Sequence, residues 1–308
     1  MEAALDAVFA GLPAPPALSS RECADVRLWE FTVYFTELPD TRLHAAMKAR
    51  LSGVLDTPPA RLQVAPIEDR DWVSESQKLL APVRAGRFFI HGSHDRHRRP
   101  QAGIALEVDA GQAFGTGQHA TTRGCLLLID GLLRRHPSPR RILDLGCGSG
   151  ILALALARAG GRPVIASDID PIAIDVARKT ARRNAVPVRA TVGPAKGPAI
   201  APVVASGLAH RYLRGAAPFD LVVANILAAP LLAMATPLAA ALAPGGRLIL
   251  SGLLRSQEAR LRAAYRTRGL VLERRHLEAG WVSLALRKGA RQRDLRSSRS
   301  AGAATTIT

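Results

Sequence analysis

The chain has 308 residues, a formal net charge of +17 and three cysteines. This length accommodates one large α/β domain and a smaller companion domain. A strongly basic chain is typical of proteins that work close to nucleic acid or a ribonucleoprotein. Coding bias in a GC-rich genome also explains the charge, because nearly all of the excess is arginine in a chain rich in alanine, glycine and proline. Three scattered cysteines exclude a disulfide framework and a cysteine-based zinc site.

The sequence predicts neither a signal peptide nor a membrane-spanning segment. Glu2 and Asp6 stand where a signal peptide would be basic, so we expect none. Residues 226–243 are nearly all apolar, but they contain Pro230 and Pro237 and lie between two predicted strands. A buried helix explains them better than a membrane span. We therefore expect a cytoplasmic protein.

Residues 1–66 predict a small N-terminal domain. A short helical pattern (residues 3–12) and a Pro/Ala linker precede an alternating strand pattern at residues 27–36. A helix around residues 43–51 and a second strand at residues 62–67 follow. Such a unit is too small to be the catalytic body. Substrate docking and a structural or dimerisation role both remain open.

Residues 67–100 predict a polar linker that contains one strand, at residues 87–90. His91, His94 and His97 follow it closely in sequence. Because no carboxylate cluster accompanies them, we interpret this stretch as a solvated loop and expect no metal site.

The most informative stretch is residues 141–152, where an apolar strand pattern stops at Gly146, Gly148 and Gly150 and a helical pattern begins. Glycines at such a turn let the backbone approach a ligand closely. Ile151 occupies the place of the third glycine of a dinucleotide fingerprint, which disfavours a nicotinamide dehydrogenase. Asp168 ends the next strand about 20 residues further on, the spacing of a carboxylate that binds a ribose diol.

Two further segments add polar groups. Residues 109–122 contain three glycines, three threonines and His119 directly before a predicted helix, which is typical of a pocket for polar groups. Asn225 ends another buried strand, at residues 219–225. We interpret His119 as a residue that orders the loop or lines the pocket, and no residue is required to act as a general base.

Alternating strands and helices predict a mostly parallel sheet covered on both faces, with the ligand at the carboxyl ends of the strands. The last two strands, at residues 269–273 and 281–286, are joined tightly and predict one antiparallel strand at the sheet edge. A strand near residues 188–192 and a long loop at 193–217 complete the pattern, and residues 289–308 predict a disordered basic tail.

Four segments resemble those of one enzyme family. They read AFGTGQHATT (113–122), DLGCGSG (144–150), SDIDP (167–171) and ANILA (224–228). Together they resemble the PrmA family of S-adenosylmethionine-dependent methyltransferases, which methylate the large-subunit ribosomal protein L11. The first segment is the most specific of the four, whereas the glycine turn is common to many methyltransferases. The resemblance covers about residues 101–288, which we therefore expect to form the methyltransferase domain.

The resemblance implies a Rossmann-like class I methyltransferase with a mostly parallel seven-stranded sheet, plus an abbreviated ferredoxin-like α+β domain at the N-terminus. It implies S-adenosyl-L-methionine as cofactor and methyl transfer to lysine side chains or an N-terminal amine of ribosomal protein L11, with ribosomal RNA nearby. The positions that match the family's cofactor contacts are Phe114, Thr122, Gly146, Gly148, Asp168 and Asn225. The family's loop usually opens Asp-Pro-Gly and has a proline after the histidine, where this chain has Ala110 and Ala120. Both changes remove rigidity rather than a reacting group.

Two other classes of protein remain as alternatives. A methyltransferase acting on ribosomal RNA or on another protein would share the cofactor site, but residues 225–228 lack the aromatic side chain after a proline pair that adenine-directed enzymes usually carry. A non-catalytic ribosome-binding protein would explain the charge, but it would not need an intact set of polar groups at the strand ends.

Overall fold

The computed structural model describes residues 17–22, 29–34, 45, 81–109, 119–192 and 197–289. The chain divides into two compact units, Met1–Arg70 and Asp71–Thr308.

The described part of the first unit is an antiparallel pair of strands. Strand β1 (Ala17–Glu22) pairs with β2 (Trp29–Tyr34), with Ala17 opposite Tyr34. Strand β2 confirms the strand predicted at residues 27–36. Strand β1 lies where we predicted the end of a linker, and that prediction is wrong because pairing with β2 satisfies the backbone of a segment without a strand pattern. Ala45 is helical, as predicted, and the other elements predicted for this unit lie outside the described residues.

The second unit begins with a small three-stranded sheet. Strand β3 (Val83–Ala85) is antiparallel to β4 (Phe88–His91), which is parallel to β5 (Ile104–Glu107). Strand β4 confirms the strand predicted at residues 87–90. The prediction of a solvated loop after it is wrong, because residues Ser93–Arg98 form a 3-10 helix in which Asp95 is buried.

The main sheet has seven strands in the order β11-β12-β10-β9-β6-β7-β8. Every neighbouring pair is parallel except the two that involve β12. The strands are β6 (Ile142–Leu145), β7 (Pro163–Asp168), β8 (Ala199–Val204), β9 (Phe219–Asn225), β10 (Leu242–Leu254), β11 (Leu270–Glu278) and β12 (Trp281–Lys288). The predicted mostly parallel seven-stranded sheet is confirmed.

Helices cover both faces of this sheet. Alternate residues of one strand enter opposite cores: Ile142 packs on one face and Leu143 on the other, as the two-residue period of a strand requires. The helices are α1 (Ala120–Arg135), α2 (Ile151–Gly160), α3 (Pro171–Arg183), α4 (Arg211–Ala216), α5 (Ala228–Ala233), α6 (Ala235–Ala241) and α7 (Glu258–Arg266). Helices α1 to α3 bury their apolar residues in the first core, and α4 to α7 bury theirs in the second.

Two sequence predictions about the sheet are wrong. The antiparallel strand β12 lies between β10 and β11 instead of at the edge. The crossover through α7 leaves room for one strand beside β10, and the tight turn at Ala279 and Gly280, both with positive φ, folds β12 back into that space.

Strand β8 is also not where we predicted it. Only an isolated bridge, from Val188 to Ile200, forms near residues 188–192, and β8 lies inside the segment predicted as a long loop. Its Ala- and Pro-rich sequence resembles a loop, but it pairs with β7 and forms the sheet edge, where Pro202 is tolerated.

The apolar segment 226–243 forms two short helices, α5 and α6, instead of one. Leu231 and Leu238 are buried in the second core, whereas Pro230 and Pro237 are exposed. Among the residues that the structure describes, no helix has the length and apolar character needed to cross a membrane.

Candidate cofactor and active site

The turn between β6 and α2 is built from three glycines. Gly146, Gly148 and Gly150 have φ angles of 72°, 53° and 79°, a region that favours glycine. The backbone N–H groups of Gly146 and Cys147 both donate to the carbonyl oxygen of Ser167, at 2.8 and 2.9 Å. The turn is therefore attached to the end of the neighbouring strand β7.

Asp168, the last residue of β7, completes this attachment. Its Oδ2 accepts a hydrogen bond from the Gly148 N–H at 2.8 Å, and its Oδ1 accepts one from the Asp170 N–H at 3.1 Å. A carboxylate has about four acceptor positions, so the half-buried Asp168 retains capacity for a pair of hydroxyl donors. Its carboxylate is held in one orientation at the rim of the turn.

Asp144, in β6, supports the turn from below. It is fully buried, and its Oδ2 accepts a hydrogen bond from the Ala153 N–H in α2 at 2.8 Å. Its Oδ1 has no hydrogen-bond partner. Burial, helped by the negative charge of Asp168, raises the pKa of Asp144 to about 7.

The N-terminus of α1 faces the end of β9. His119 caps the helix by accepting a hydrogen bond from the Thr121 N–H. Thr122, fully buried in the first turn, accepts a hydrogen bond from Asn225 Nδ2 at 3.3 Å. Asn225 Oδ1 is buried and has no partner. An amide so oriented can accept a hydrogen bond from a ligand, since buried polar atoms normally have partners.

Two aromatic rings meet at the N-terminus of α1. The His119 and Trp281 rings meet edge to face, with centroids 4.9 Å apart and an interplanar angle of 67°. Trp281 begins β12, and its backbone pairs with Leu254 of β10. The contact therefore joins the start of α1 to the sheet.

These groups line one cavity of about 620 Å³ at the carboxyl ends of the parallel strands. Such a volume is typical of a site for a small molecule or cofactor. Five of the residues predicted from the sequence line it: Thr122, Gly146, Gly148, Asp168 and Asn225. The sixth, Phe114, lies outside the described residues. Their assignment as cofactor contacts stays a prediction.

Sequence reasoning missed several lining residues. Trp281, Gly252 and the segment Ala205–Gly207 also line the cavity. Trp281 lies 162 positions after His119 and 56 after Asn225 in the chain, and the sheet order brings it to the same cavity. Gly252 could have been found from the sequence, because a glycine inside the strand pattern of residues 248–254 often marks a close approach of a ligand or of another backbone segment.

The histidines after β4 have other roles. Arg99 Nε donates to His91 Nε2 at 2.9 Å, so the neutral ring donates from Nδ1 to the Gly92 carbonyl oxygen at 2.7 Å. His94 lies 3.1 Å from Asp95. Within the described ranges, no group of three or more His, Cys, Asp or Glu side chains is placed to hold a metal ion.

The cavity geometry depends on the glycines that contact Ile226. A Cβ atom added at Gly146 would lie 2.3 Å from Ile226 Cγ2, and one added at Gly252, where φ is +85°, would lie 2.2 Å from the Ile226 carbonyl oxygen. We expect Gly146→Ala and Gly252→Ala each to lower the free energy of unfolding by about 1–3 kcal/mol.

The two substitutions introduce clashes with different parts of Ile226, so a second substitution at Ile226 should relieve only one of them. Ile226→Ala removes the Cγ2 atom and should restore about 1 kcal/mol in the Gly146→Ala background. It leaves the backbone carbonyl in place, so it should restore nothing in the Gly252→Ala background. Urea unfolding of the two double-mutant cycles measures both coupling energies. Equal coupling in the two cycles would contradict this account of the cavity wall.

Asp144 should make stability depend on pH. Its folded pKa is raised to about 7, so between about pH 4 and pH 7 the folded chain keeps a proton that the unfolded chain has lost. The contribution of Asp144 to stability therefore falls as pH rises through this window and does not return above it. Asp144→Asn lacks this dependence, and its unfolding free energy relative to wild type should rise with pH by up to about 4 kcal/mol.

Chemical unfolding at several pH values between 4 and 8 checks this expectation. The matched control is Asp175→Asn, which removes an exposed carboxylate paired with Arg178. The control should keep a constant difference from wild type. A constant difference for Asp144→Asn as well would show that Asp144 titrates at an ordinary pKa.

Comparisons with known proteins identify the family. Residues 19–289 match the family model described as ribosomal protein L11 methyltransferase (PrmA). The ribosomal protein L11 methyltransferase of Rhodopseudomonas palustris is 45% identical over 262 residues, 85% of this chain and 84% of that protein. The protein of the same name from Allorhizobium ampelinum is 42% identical over 271 residues, 88% of this chain and 89% of that protein.

A solved structure agrees with these relatives. The crystal structure of ribosomal protein L11 methylase from Lactobacillus delbrueckii subsp. bulgaricus is 28% identical, with a TM-score of 0.57, over 68% of this chain and 100% of that one. The glycine turn, the carboxylate at the end of β7 and the amide at the end of β9 thus occur in a chain that matches one family over most of its length. The chain belongs to the PrmA family, the ribosomal protein L11 methyltransferases.

Proposed function

We propose that the chain transfers methyl groups from S-adenosyl-L-methionine to amino groups of ribosomal protein L11, on lysine side chains or the N-terminal amine. The observation that carries this proposal is the cavity at the strand ends, where a glycine turn and Asp168 lie on one side and Asn225 on the other. Membership of the PrmA family supports both the cofactor and the substrate.

The described residues fit the cofactor. Asp168 would hold the ribose diol, and the turn at Gly146 and Gly148 would let the backbone approach it. The unpartnered Asn225 Oδ1 would accept a hydrogen bond from the cofactor, with Thr122 orienting the amide. Phe114 is proposed as a further cofactor contact, on the strength of the match between residues 113–122 and the family's loop.

When bound, S-adenosylmethionine supplies a methyl carbon that its sulfonium group has already activated. The chain's own residues then have to align an amine with that carbon and exclude water. The attacking nitrogen must be neutral. Of the described cavity residues, Asp168 is the only carboxylate, and two backbone N–H groups already hold it. We therefore assign no general base, and an amine would lose its proton before or during entry.

The alternative substrate, ribosomal RNA, is not favoured. Residues 225–228 read Asn-Ile-Leu-Ala and lack the aromatic side chain that stacks on a flipped base. Leu227, at the mouth of the cavity, is 70% exposed and apolar, which suits an aliphatic side chain better than a base.

We further propose the domain roles that the sequence suggests: docking by residues 1–66, a linker at 67–100, catalysis by 101–288 and a basic tail at 289–308. Charge supports the docking role. Residues 1–66 carry six Lys and Arg against eight Asp and Glu, whereas residues 67–308 carry 36 against 17. An acidic segment on a basic enzyme would attract a basic ribosomal protein, and the basic remainder would tolerate ribosomal RNA nearby. With such a substrate, we propose that the enzyme acts in the cytoplasm.

Cofactor binding tests the role of Asp168. Asp168→Ala should raise the Kd for S-adenosylmethionine about 100-fold, because it removes a charged acceptor of two hydroxyl bonds and loosens the glycine turn. Isothermal titration calorimetry measures this affinity. Asp175→Ala, a change to an exposed carboxylate of α3, is the matched control and should bind normally. Unchanged affinity of Asp168→Ala would refute the ribose assignment.

Methyl transfer tests the activity itself. The full chain, given methyl-labelled S-adenosylmethionine and ribosomes from a methylation-deficient strain, should label one small ribosomal protein and no RNA. Residues 71–308 alone should still bind the cofactor but lose at least about tenfold in labelling rate, since docking contributes affinity for the protein substrate. Label in RNA would replace the proposed substrate, and full activity of residues 71–308 would refute the docking role.

A further inference from the structure

The sheet order divides the cavity into two halves. Asp168 ends β7, whereas Asn225 ends β9, Gly252 lies in β10 and Trp281 begins β12. Because β6 separates β7 from β9 in the sheet, the last three residues lie on the side away from Asp168. If the proposed function holds, the nucleoside occupies the half with Asp168, and the substrate amine enters the other half, which we call the amine half.

Trp281 forms a fixed wall of the amine half. Its backbone pairs with Leu254, and directly before it the Gly280 carbonyl oxygen accepts a hydrogen bond from the Arg255 N–H at 3.0 Å. The His119 and Trp281 rings meet edge to face, and His119 is itself held as the cap of α1. Trp281 is only partly buried, so it contributes ring surface to the cavity.

The described residues that line the amine half include polar and aromatic side chains but no carboxylate. Asp168 is the only carboxylate among the described lining residues, and it belongs to the other half. Residues 110–118, which the structure does not describe, include no Asp or Glu. The positive charge that develops on the nitrogen during methyl transfer therefore meets hydroxyls, the Asn225 amide and aromatic rings.

Each methyl transfer changes which of these groups can bind the amine. An unmethylated amine has several N–H bonds and can donate to Asn225 Oδ1, because an amide oxygen has a second lone pair besides the one that we propose for the cofactor. Every added methyl group removes one N–H bond and adds apolar surface, so the amide contributes progressively less. An aromatic face has the opposite preference, because it attracts methylated ammonium groups through its π-electrons and contacts their methyl groups.

We propose that Trp281 is a specificity-determining residue that binds methylated amines, so that one nitrogen can accept further methyl groups. In each round the nitrogen lone pair forms a new N–C bond while the S–C bond breaks and sulfur keeps its electron pair. The product ammonium loses a proton to water before the next round, and a third transfer leaves a quaternary ammonium with no proton to lose.

The test compares two forms of one substrate with the full-length enzyme. Purified ribosomal protein L11 is used unmodified, and after reductive methylation with formaldehyde, which converts its amines to dimethylamines that accept only one more methyl group. Trp281→Met should lower kcat/KM on the dimethylated form about 3- to 30-fold more than on the unmodified form. Mass spectrometry of the unmodified substrate should show mono- and dimethyl products accumulating.

Controls separate the role of the ring from a structural role. Trp281→Phe keeps an aromatic face and should stay within about threefold of wild type on both substrates. Leu254 is opposite Trp281 in the sheet but is not among the residues that line the cavity. Leu254→Ala should therefore leave the product ratio unchanged. Calorimetric titration of S-adenosylmethionine shows that each variant retains its cofactor site. If Trp281→Met does not fold, Trp281→Leu against Trp281→Phe makes the same comparison.

The outcomes are distinct. An equal loss on both substrates, or an unchanged product ratio, would overturn the role of Trp281 while the proposed function stands. No labelling of unmodified ribosomal protein L11 by the wild-type enzyme would instead refute the proposed function. The proposal is supported if Trp281→Met loses activity selectively on the dimethylated substrate and if neither Trp281→Phe nor Leu254→Ala shows that loss.

Discussion

The attachment of the glycine turn to the end of β7 is the constraint on which the site depends. Three backbone N–H groups of the turn donate to Ser167 and Asp168, so the turn and the carboxylate form one unit. Only a backbone at positive φ can make this turn, which explains the glycines. The buried Asp144 links the same turn to α2 by accepting a hydrogen bond from the Ala153 N–H. Its second oxygen is buried without a partner, which destabilises the folded chain.

The opposite side of the cavity is assembled by sheet order. The N-terminus of α1, the end of β9 and the start of β12 are distant in sequence, but they meet because β10 lies between β9 and β12. Ser251 Oγ donates a hydrogen bond to the Thr121 carbonyl oxygen and is also hydrogen-bonded to Ser283 Oγ, and these contacts hold α1 against the strands. A rigid wall of this kind suits a reaction in which alignment, more than acid–base chemistry, lowers the barrier.

Local patterns sufficed where one segment makes its own structure. The strand predicted at residues 219–225, the end of β7 at Asp168 and the glycine turn all match, because an apolar run or a turn residue specifies each of them. Patterns failed at β8, whose Ala- and Pro-rich sequence becomes a strand only by pairing with β7. They also failed at the apolar segment 226–243, where one expected helix breaks at Met234 into α5 and α6, because Pro237 has no N–H to donate to the carbonyl four residues earlier.

The sequence by itself indicated the polar groups that line the cavity: the glycine turn after β6, a carboxylate at the end of β7 and an amide at the end of β9. Four short segments also sufficed to indicate the PrmA family. Only the tertiary structure decided which side chains share the cavity with them. Trp281 and Gly252 reach it because β12 inserts beside β10, and the orientation of the Asn225 amide follows from its contact with Thr122. Long-range pairing sets these contacts, and no local pattern encodes it.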